Sequence, residues 1–327
     1  RPHLHNSSTG DGRMKILIVG GAGYVGGYLT DLLSEENEVL VYDSLLYEHM
    51  YLKEVNFQYG DIRDRKNLID TIDNFEPEAV VWLAAIVGDG ACQVDPLLTN
   101  EVNYESVKWL CENYNGKIVF TSTCSVYGVN NDLITEEAEP NPLSTYASTK
   151  LKAEQYLLDN HDNALVFRLG TLFGLSDTYS RIRLDLVSNV LTLKCVNGEP
   201  LSVFGGEQWR PLLHVKDVST AIVHGLDNEI TGLYNLHDDN YTIKELAETI
   251  VSRVAPETGI INYVEMPFED LRNYRVSSDK YRQTGWLPSY NLETGIDSLA
   301  TILQSNRVKD TSNNLYSNVA FLKNQKD

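Results

Sequence analysis

Lys15-Ile16-Leu17-Ile18-Val19-Gly20-Gly21-Ala22-Gly23-Tyr24-Val25-Gly26-Gly27-Tyr28-Leu29 opens with an apolar, β-branched run, the mark of a strand buried on both faces. The run breaks at Gly20, Gly23 and Gly26 and resumes with Tyr28, Leu29, Leu32 and Leu33 at helical spacing. Strand, glycine turn and helix in that order form the setting in which a dinucleotide pyrophosphate is held. Gly20 permits the tight turn, Gly23 lets backbone approach the phosphates, and Gly26 lets helix and strand pack closely. Tyr24 and Val25 lie between them, where N–H groups and the positive end of the helix face an anion. The spacing is G-x-x-G-x-x-G, and glycine turns also arise for purely steric reasons, so the turn needs a second signal.

That signal is Glu38-Val39-Leu40-Val41-Tyr42-Asp43, a second strand ending in an acid 17 residues after Gly26. A carboxylate there suits the hydroxyls of an adenosine ribose, although Asp is also common as a strand-end turn residue. Ser44, Leu45 and Leu46 follow, with no Arg to meet a 2′-phosphate, so the pattern points to NAD rather than NADP.

The chain has 327 residues, enough for one large or two unequal domains, and 42% hydrophobic with 22% charged residues is ordinary for a globular fold. A net charge of −19 weighs against nucleic acid and anionic membrane as partners, and leaves room for a local basic cluster facing a phosphate ligand. Cys92, Cys111, Cys124 and Cys195 lie far apart without a C-x-x-C pair, which favours buried free thiols in a reducing, cytoplasmic compartment over disulfides or a metal site. No stretch is long and apolar enough to span a membrane. Residues 1–13 are polar and precede Met14, and they read as an expression-tag remnant.

Short apolar strands alternate with amphipathic segments beyond Asp43. Strands are expected at 56–61, 79–85, 117–122 and 164–169, and helices at 68–75, 102–114 and 146–160. This rhythm predicts an α/β fold with a doubly wound parallel sheet over 14–175 and ligands at the carboxyl ends of its strands. A smaller α/β lobe is expected over 176–306, with helices at 181–193, 215–226 and 243–253, strands at 200–206 and 260–264, and a return near 210–235 to the first sheet. Residues 307–327 form a polar tail, either docked or disordered.

Tyr146-Ala147-Ser148-Thr149-Lys150 puts a phenol and an ammonium four residues apart, on one helix face. A cation beside a phenol favours the phenolate and makes a usable acid/base near neutral pH. Upstream, Phe120-Thr121-Ser122-Thr123-Cys124-Ser125-Val126-Tyr127-Gly128 sets hydroxyls just past a strand end. Thr123 there is in line to hydrogen-bond a substrate oxygen while Tyr146 moves its proton, unless the hydroxyls serve only local backbone bonds.

Taken together, the glycine turn, Asp43, Asp61-Ile62, Leu83-Ala84-Ala85, Ser122-Thr123 with Val126-Tyr127-Gly128, and Tyr146 with Lys150 resemble the extended short-chain dehydrogenase/reductase family. The likeness is nearest to its NAD-dependent nucleotide-sugar epimerases and dehydratases and covers about 14–298. It implies that Asp61 and Ile62 flank the adenine, that Leu83, Ala84 and Ala85 line the cofactor, and that Asn103 supports that region. It also implies that Thr123, Tyr146 and Lys150 are catalytic, that Ser125 and Asn189 touch substrate, and that the protein is a homodimer through helices 102–114 and 146–160.

The second half is similar too. Gln208-Trp209-Arg210 followed by His214-Val215-Lys216-Asp217-Val218 looks like the family's substrate-lobe signature, in which Arg210 would grip a nucleoside diphosphate through its fork of donors. Arg272 stands where relatives carry a second phosphate-binding Arg, and Arg181 and Arg183 bracket the lobe entrance, as substrate ligands or as solvated charges.

Departures narrow the chemistry. The sugar 4,6-dehydratases resembling this pattern carry Asp-Glu where this chain has Cys124-Ser125, and related decarboxylases have Glu at the second position. Thr171 replaces a frequent Asn, and Pro211 replaces the usual Asp after the phosphate Arg. The expectation is a 4-epimerase of a nucleoside-diphosphate sugar, with a 4-keto-6-deoxysugar reductase or a non-catalytic dinucleotide-binding regulator as alternatives.

Overall fold

A computed structural model describes residues 12–48, 50–177, 179–266 and 273–326. Arg272 and nearly all of 1–13 lie outside them.

Seven parallel strands form the central sheet: β1 (Lys15–Val19), β2 (Glu38–Asp43), β3 (Asn56–Tyr59), β4 (Ala79–Trp82), β5 (Lys117–Thr123), β6 (Ala164–Leu169) and β7 (Gly232–Leu236). Their order across the sheet is β7-β6-β5-β4-β1-β2-β3, so the α/β doubly wound expectation holds. The chain leaves β1 toward β2 and β3 on one side and later builds β4 to β7 on the other. A crevice opens at the carboxyl ends of β1 and β4, where the winding reverses. Ile16, Ile18, Val41, Val81, Val119 and Phe167 pack on one face, and Leu17, Val19, Tyr42, Trp82, Phe120 and Val166 on the other. Burial on both faces is why these strands read as continuous apolar runs.

Several elements differ from their expected limits for local reasons. β4 stops at Trp82 because Leu83 N–H and Ala84 N–H both donate to the Val19 carbonyl, at 2.8 and 3.1 Å, bending the chain across the end of β1. β3 stops at Tyr59, where Gly60 N–H donates to the Asp43 carbonyl at 3.0 Å. The helix expected from 102 begins at Pro96 behind the Asp95 cap and carries a widened π turn at Glu101–Glu105. The helix expected from 181 begins at Val187. The residues before it are held extended, with Leu184 N–H donating to the Tyr316 carbonyl at 2.9 Å.

The second lobe is built on three small sheets. Leu201–Phe204 pairs with Ile261–Val264, and Trp209–His214 lies between Thr171–Phe173 and Asp239–Thr242. Val129–Ile134 pairs with Asn273–Val276. Helices Val187–Val196, Ile243–Val254 and Leu292–Gln304 close over Phe173, Leu212, Leu246 and Ile250. The last helix, Asn318–Asn324, packs Val319 and Leu322 against Ile86 and Cys92 beside the crevice.

Candidate active site

The glycine turn forms the floor of the crevice. Gly20 has φ +81°, and a Cβ there would lie 2.5 Å from the Ala84 nitrogen, so neither the backbone nor the space admits a side chain. Gly23 differs: a Cβ would meet only the Gly20 carbonyl oxygen, at an ordinary 3.5 Å. The protein's own packing does not require glycine at 23, and its bare backbone faces the cavity beside the helix start. Helix Gly26–Ser34 begins at Val25 without a side-chain cap and without an acid in its first turn. Gly27 N–H is taken by the Gly23 carbonyl at 3.2 Å and Tyr28 N–H by Ser176 Oγ at 2.9 Å. The backbone of Tyr24 and Val25 and the positive dipole end are therefore what suit phosphate oxygens, and this floor fits the pyrophosphate of NAD.

Asp43 ends β2 beside that turn. One carboxylate oxygen accepts the Ala22 N–H at 3.0 Å and the other the Leu45 N–H at 2.8 Å. Burial raises its pKa while these backbone donors hold it down. The carboxylate therefore braces the turn and still lines the cavity, which keeps the ribose role open to it. Asp61 lies on the rim with its pKa lowered by Arg63, whose guanidinium is 2.7 Å away. Ile62, Leu83, Ala84 and Ala85 line the same wall.

The cavity measures ≈ 1130 Å³, above the usual range for a site taking one small ligand. Tyr146 and Lys150 both line it. Ser144 caps their helix, its Oγ accepting the Ala147 N–H at 3.1 Å, so Tyr146 falls in the first turn and Lys150 one turn deeper. Thr123 ends β5, its Oγ1 accepting the Ser125 N–H at 3.1 Å and lying 3.0 Å from the Ser125 Oγ. Its hydroxyl also faces the Tyr146 phenol closely enough to favour the ionised form. Local bonds shape the turn, and Thr123 and Ser125 line the cavity.

The electrostatics depart from the sequence expectation. Burial pushes the Tyr146 phenol well above its usual pKa, the neighbouring Cys92 pushes it further, and Arg183 and the Thr123 hydroxyl hold it down. Lys150, expected to supply that effect, sits with its Nζ 4.4 Å over the Phe120 ring, and burial lowers its own pKa to about 8. Arg183 is a cation that acts on the phenol, and burial disfavours the charged form of Lys150.

Among the expected substrate residues, Arg210 is buried at 6% exposure, lines the cavity and donates from Nη1 to the Trp209 carbonyl at 2.9 Å. Asn189 does not line it. Its Oδ1 accepts the Gly174 N–H at 3.0 Å and its Nδ2 donates to the Arg183 carbonyl at 2.8 Å, so its amide is spent on shaping the loop. Asn103 is likewise set behind the wall, exchanging two bonds of 2.8 and 2.9 Å with the Ile86 backbone. It supports the cofactor wall by pinning Ile86. Arg181 and Arg183, left open as substrate ligands or solvated charges, are buried and line the cavity. Tyr47, Gly88 and the tail residues Asn318, Val319 and Leu322 also line it, without a local motif to mark them.

No group of three or more metal-ligating side chains occurs among the described residues, nor does a helix long and apolar enough to cross a membrane. The four cysteines are buried and unpaired.

Comparison with known proteins adds to this geometry. A family model described as the NAD dependent epimerase/dehydratase family matches residues 16–236. The chain is 29% identical to UDP-glucose 4-epimerase of Rhizobium meliloti, over 85% of its own length and 93% of that protein. It is 27% identical to UDP-glucuronic acid decarboxylase 6 of Arabidopsis thaliana, over 90% of each. The crystal structure of Thermus thermophilus UDP-glucose 4-epimerase in complex with NAD superposes with a TM-score of 0.77 at 25% identity, covering 89% of this chain and 99% of that one.

Proposed function

The chain belongs to the NAD dependent epimerase/dehydratase family, and from that premise we propose that it is an NAD-dependent 4-epimerase of a nucleoside-diphosphate sugar. The observation carrying this choice is the turn after β5. Ser125 faces the cavity there, while Cys124 is fully buried with its thiol directed to the Arg168 carbonyl at 3.2 Å. That turn offers hydroxyls and no carboxylate, so it lacks the acid/base pair an elimination needs, and Tyr146 remains to move a single proton.

In this mechanism Tyr146 takes the proton of the C4 hydroxyl in its phenolate form, which burial opposes and Arg183 and the Thr123 hydroxyl favour, with Thr123 hydrogen-bonded to the same substrate oxygen. When bound, NAD would supply the reversible hydride chemistry at C4. Lys150 holds the nicotinamide ribose, and the uncapped helix at Val25 and the bare backbone at Gly23 hold the pyrophosphate. Asp43 takes the adenosine ribose, and Arg210 grips the nucleotide diphosphate of the substrate. Tyr146 gives the proton back after the ketosugar turns; the net reaction would be redox-neutral because the hydride taken from C4 returns to C4, and positioning does most of the work.

The same reading includes a homodimer. Trp109 and Tyr156 remain partly exposed on neighbouring helices, whereas Leu110 and Leu157 belong to the monomer core. A reducing, cytoplasmic setting suits the four unpaired thiols.

The test is incubation of the purified protein with UDP-glucose, followed by chromatography of the sugar nucleotides and absorbance at 340 nm. Appearance of the C4 epimer without net change in NADH supports the proposal. Stoichiometric NADH consumption with a 4-ketosugar, and no epimer, supports a reductase instead.

A further inference from the structure

Two guanidiniums stand in the lining of the cavity, and among the described residues only one of them is ion-paired there, Arg183 with Asp185. Arg181 is 8% exposed and Arg183 7% exposed, and both line the cavity. Arg183 forms a two-point pair with Asp185, Nε at 2.6 Å and Nη2 at 3.0 Å. Asp185 is then fully engaged, since it also accepts the Asn318 N–H at 2.9 Å.

Among the described residues, the hydrogen-bond partners of Arg181 are uncharged. Its Nε donates to the Leu315 carbonyl at 2.8 Å, its Nη1 donates to the Asn318 side-chain oxygen, and its plane lies 3.8 Å from the Tyr47 ring centroid. Its Nη2 is buried without a hydrogen-bond partner. Two acids act on Arg181: Asp185, already ion-paired with Arg183, and more weakly Glu48, which burial holds up to about 7 so that it provides only a fractional counter-charge near neutrality. A buried guanidinium that must share the Asp185 charge with a second guanidinium is costly, and an oxyanion brought by a ligand would relieve it.

The loop carrying these residues is tied down over the phosphate-binding floor. The Tyr24 hydroxyl donates to the Gly174 carbonyl, and Tyr28 N–H donates to Ser176 Oγ at 2.9 Å. Arg183 lies 6.0 Å from the Tyr24 ring centroid and acts on the Tyr146 phenol. The pair thus lies between the helix start and the acid/base, within one cavity.

We infer that Arg181 and Arg183 form a receptor for an oxyanion carried by a ligand of this cavity, either a cofactor phosphate or a carboxylate on the sugar. The inference rests on the cavity taking NAD and a nucleotide sugar, and it is tested by binding alone, so failure to epimerise leaves it standing.

Arg181→Gln removes the charge while keeping amide donors for Leu315 and Asn318. Isothermal titration of the full chain measures NAD affinity directly, and then UDP-glucose and UDP-glucuronate affinities with NAD bound. If the anion is the cofactor's, NAD affinity falls roughly ten- to a hundredfold and the two sugar nucleotides change alike. If it is the sugar's, NAD binding is kept and UDP-glucuronate alone weakens by a similar factor. Arg181→Lys, a point charge in place of a planar fork, recovers part of whichever loss appears. Wild-type affinity for all three ligands in a folded Arg181→Gln protein overturns the inference. Should that variant not fold, unchanged affinities in Arg181→Lys overturn it, and a severalfold loss for one ligand supports it.

Discussion

The backbone N–H of Asn318 donates to the Asp185 carboxylate at 2.9 Å, and its side-chain amide donates to the Val87 carbonyl at 2.9 Å. One residue of the last helix therefore joins the loop that carries Arg183 to the chain leaving β4, across the cavity mouth. Deleting residues 314–327 removes this tie and uncovers Ile86 and Cys92. Bound NAD is expected to dissociate at least about tenfold faster, by dilution or stopped-flow release, with secondary structure retained in circular dichroism. An unchanged release rate would show that the tail does not gate the cofactor.

Gly20 and Gly23 are expected to fail differently. Gly20→Ala meets the Ala84 backbone and a positive φ, so it should destabilise the fold by about 1–3 kcal/mol in urea unfolding. Gly23→Ala has space in the protein itself, so its unfolding midpoint should stay near wild type while NAD affinity drops tenfold or more. Equal stability losses in the two variants would argue against a phosphate path over Gly23.

Tyr146→Phe should lower kcat about 10²- to 10⁴-fold and leave NAD binding intact. Retention of turnover would remove the phenol from its assigned role.

Lys150 carries a stability cost with a definite pH window. Burial lowers its pKa from 10.5 to about 8, so the folded state binds fewer protons than the unfolded chain between those values. The penalty is fully present below about pH 8 and is relieved as pH rises to about 10.5. Lys150→Met should therefore stabilise the cofactor-free protein at pH 7 by up to about 3 kcal/mol, an advantage that vanishes near pH 10.5, while abolishing activity. Thermal unfolding at pH 7 and pH 10 makes the comparison.

His214 works in the opposite range. Burial lowers its pKa from 6.5 to about 3, and its neutral Nδ1 accepts the Lys216 N–H at 3.0 Å, capping helix Val215–Asp227. Its contribution is present above pH 6.5 and lost as pH falls toward 3. His237 behaves alike, while Asp238 and Glu48, raised by burial to about 6 and about 7, oppose it. His214→Asn keeps a capping acceptor without the titration, so it should recover about 3 kcal/mol of the stability lost by pH 4.5. A denaturation profile against pH with the same slope as wild type would contradict this.

The central sheet was legible because its signals are local: β-branched runs, glycines at a strand end, and a phenol and an ammonium one helical turn apart. What escaped the sequence depends on distant partners. Asn103 and Asn189 are residue types equally suited to a ligand or to a backbone amide, and only the fold showed that backbone claims both. The Arg181 contact to Asn318 spans 137 positions, beyond any periodicity. The Lys150 effect on Tyr146 was inferred from spacing alone, and spacing carries no information about the Phe120 ring or the dielectric around it. The tail was undecided for the same reason, since its few apolar residues acquire meaning only against Ile86 and Cys92.

β7 has one further implication, for synthesis. It pairs with β6 through Leu165–Leu169 although the chain first builds much of the second lobe. A nascent chain emerging from the ribosome therefore carries β6 as a bare hydrogen-bonding edge until residue 236 is free, the state most open to edge-to-edge aggregation. The sheet closes late, on a contact of long sequence separation, and a chaperone would find its substrate in that interval.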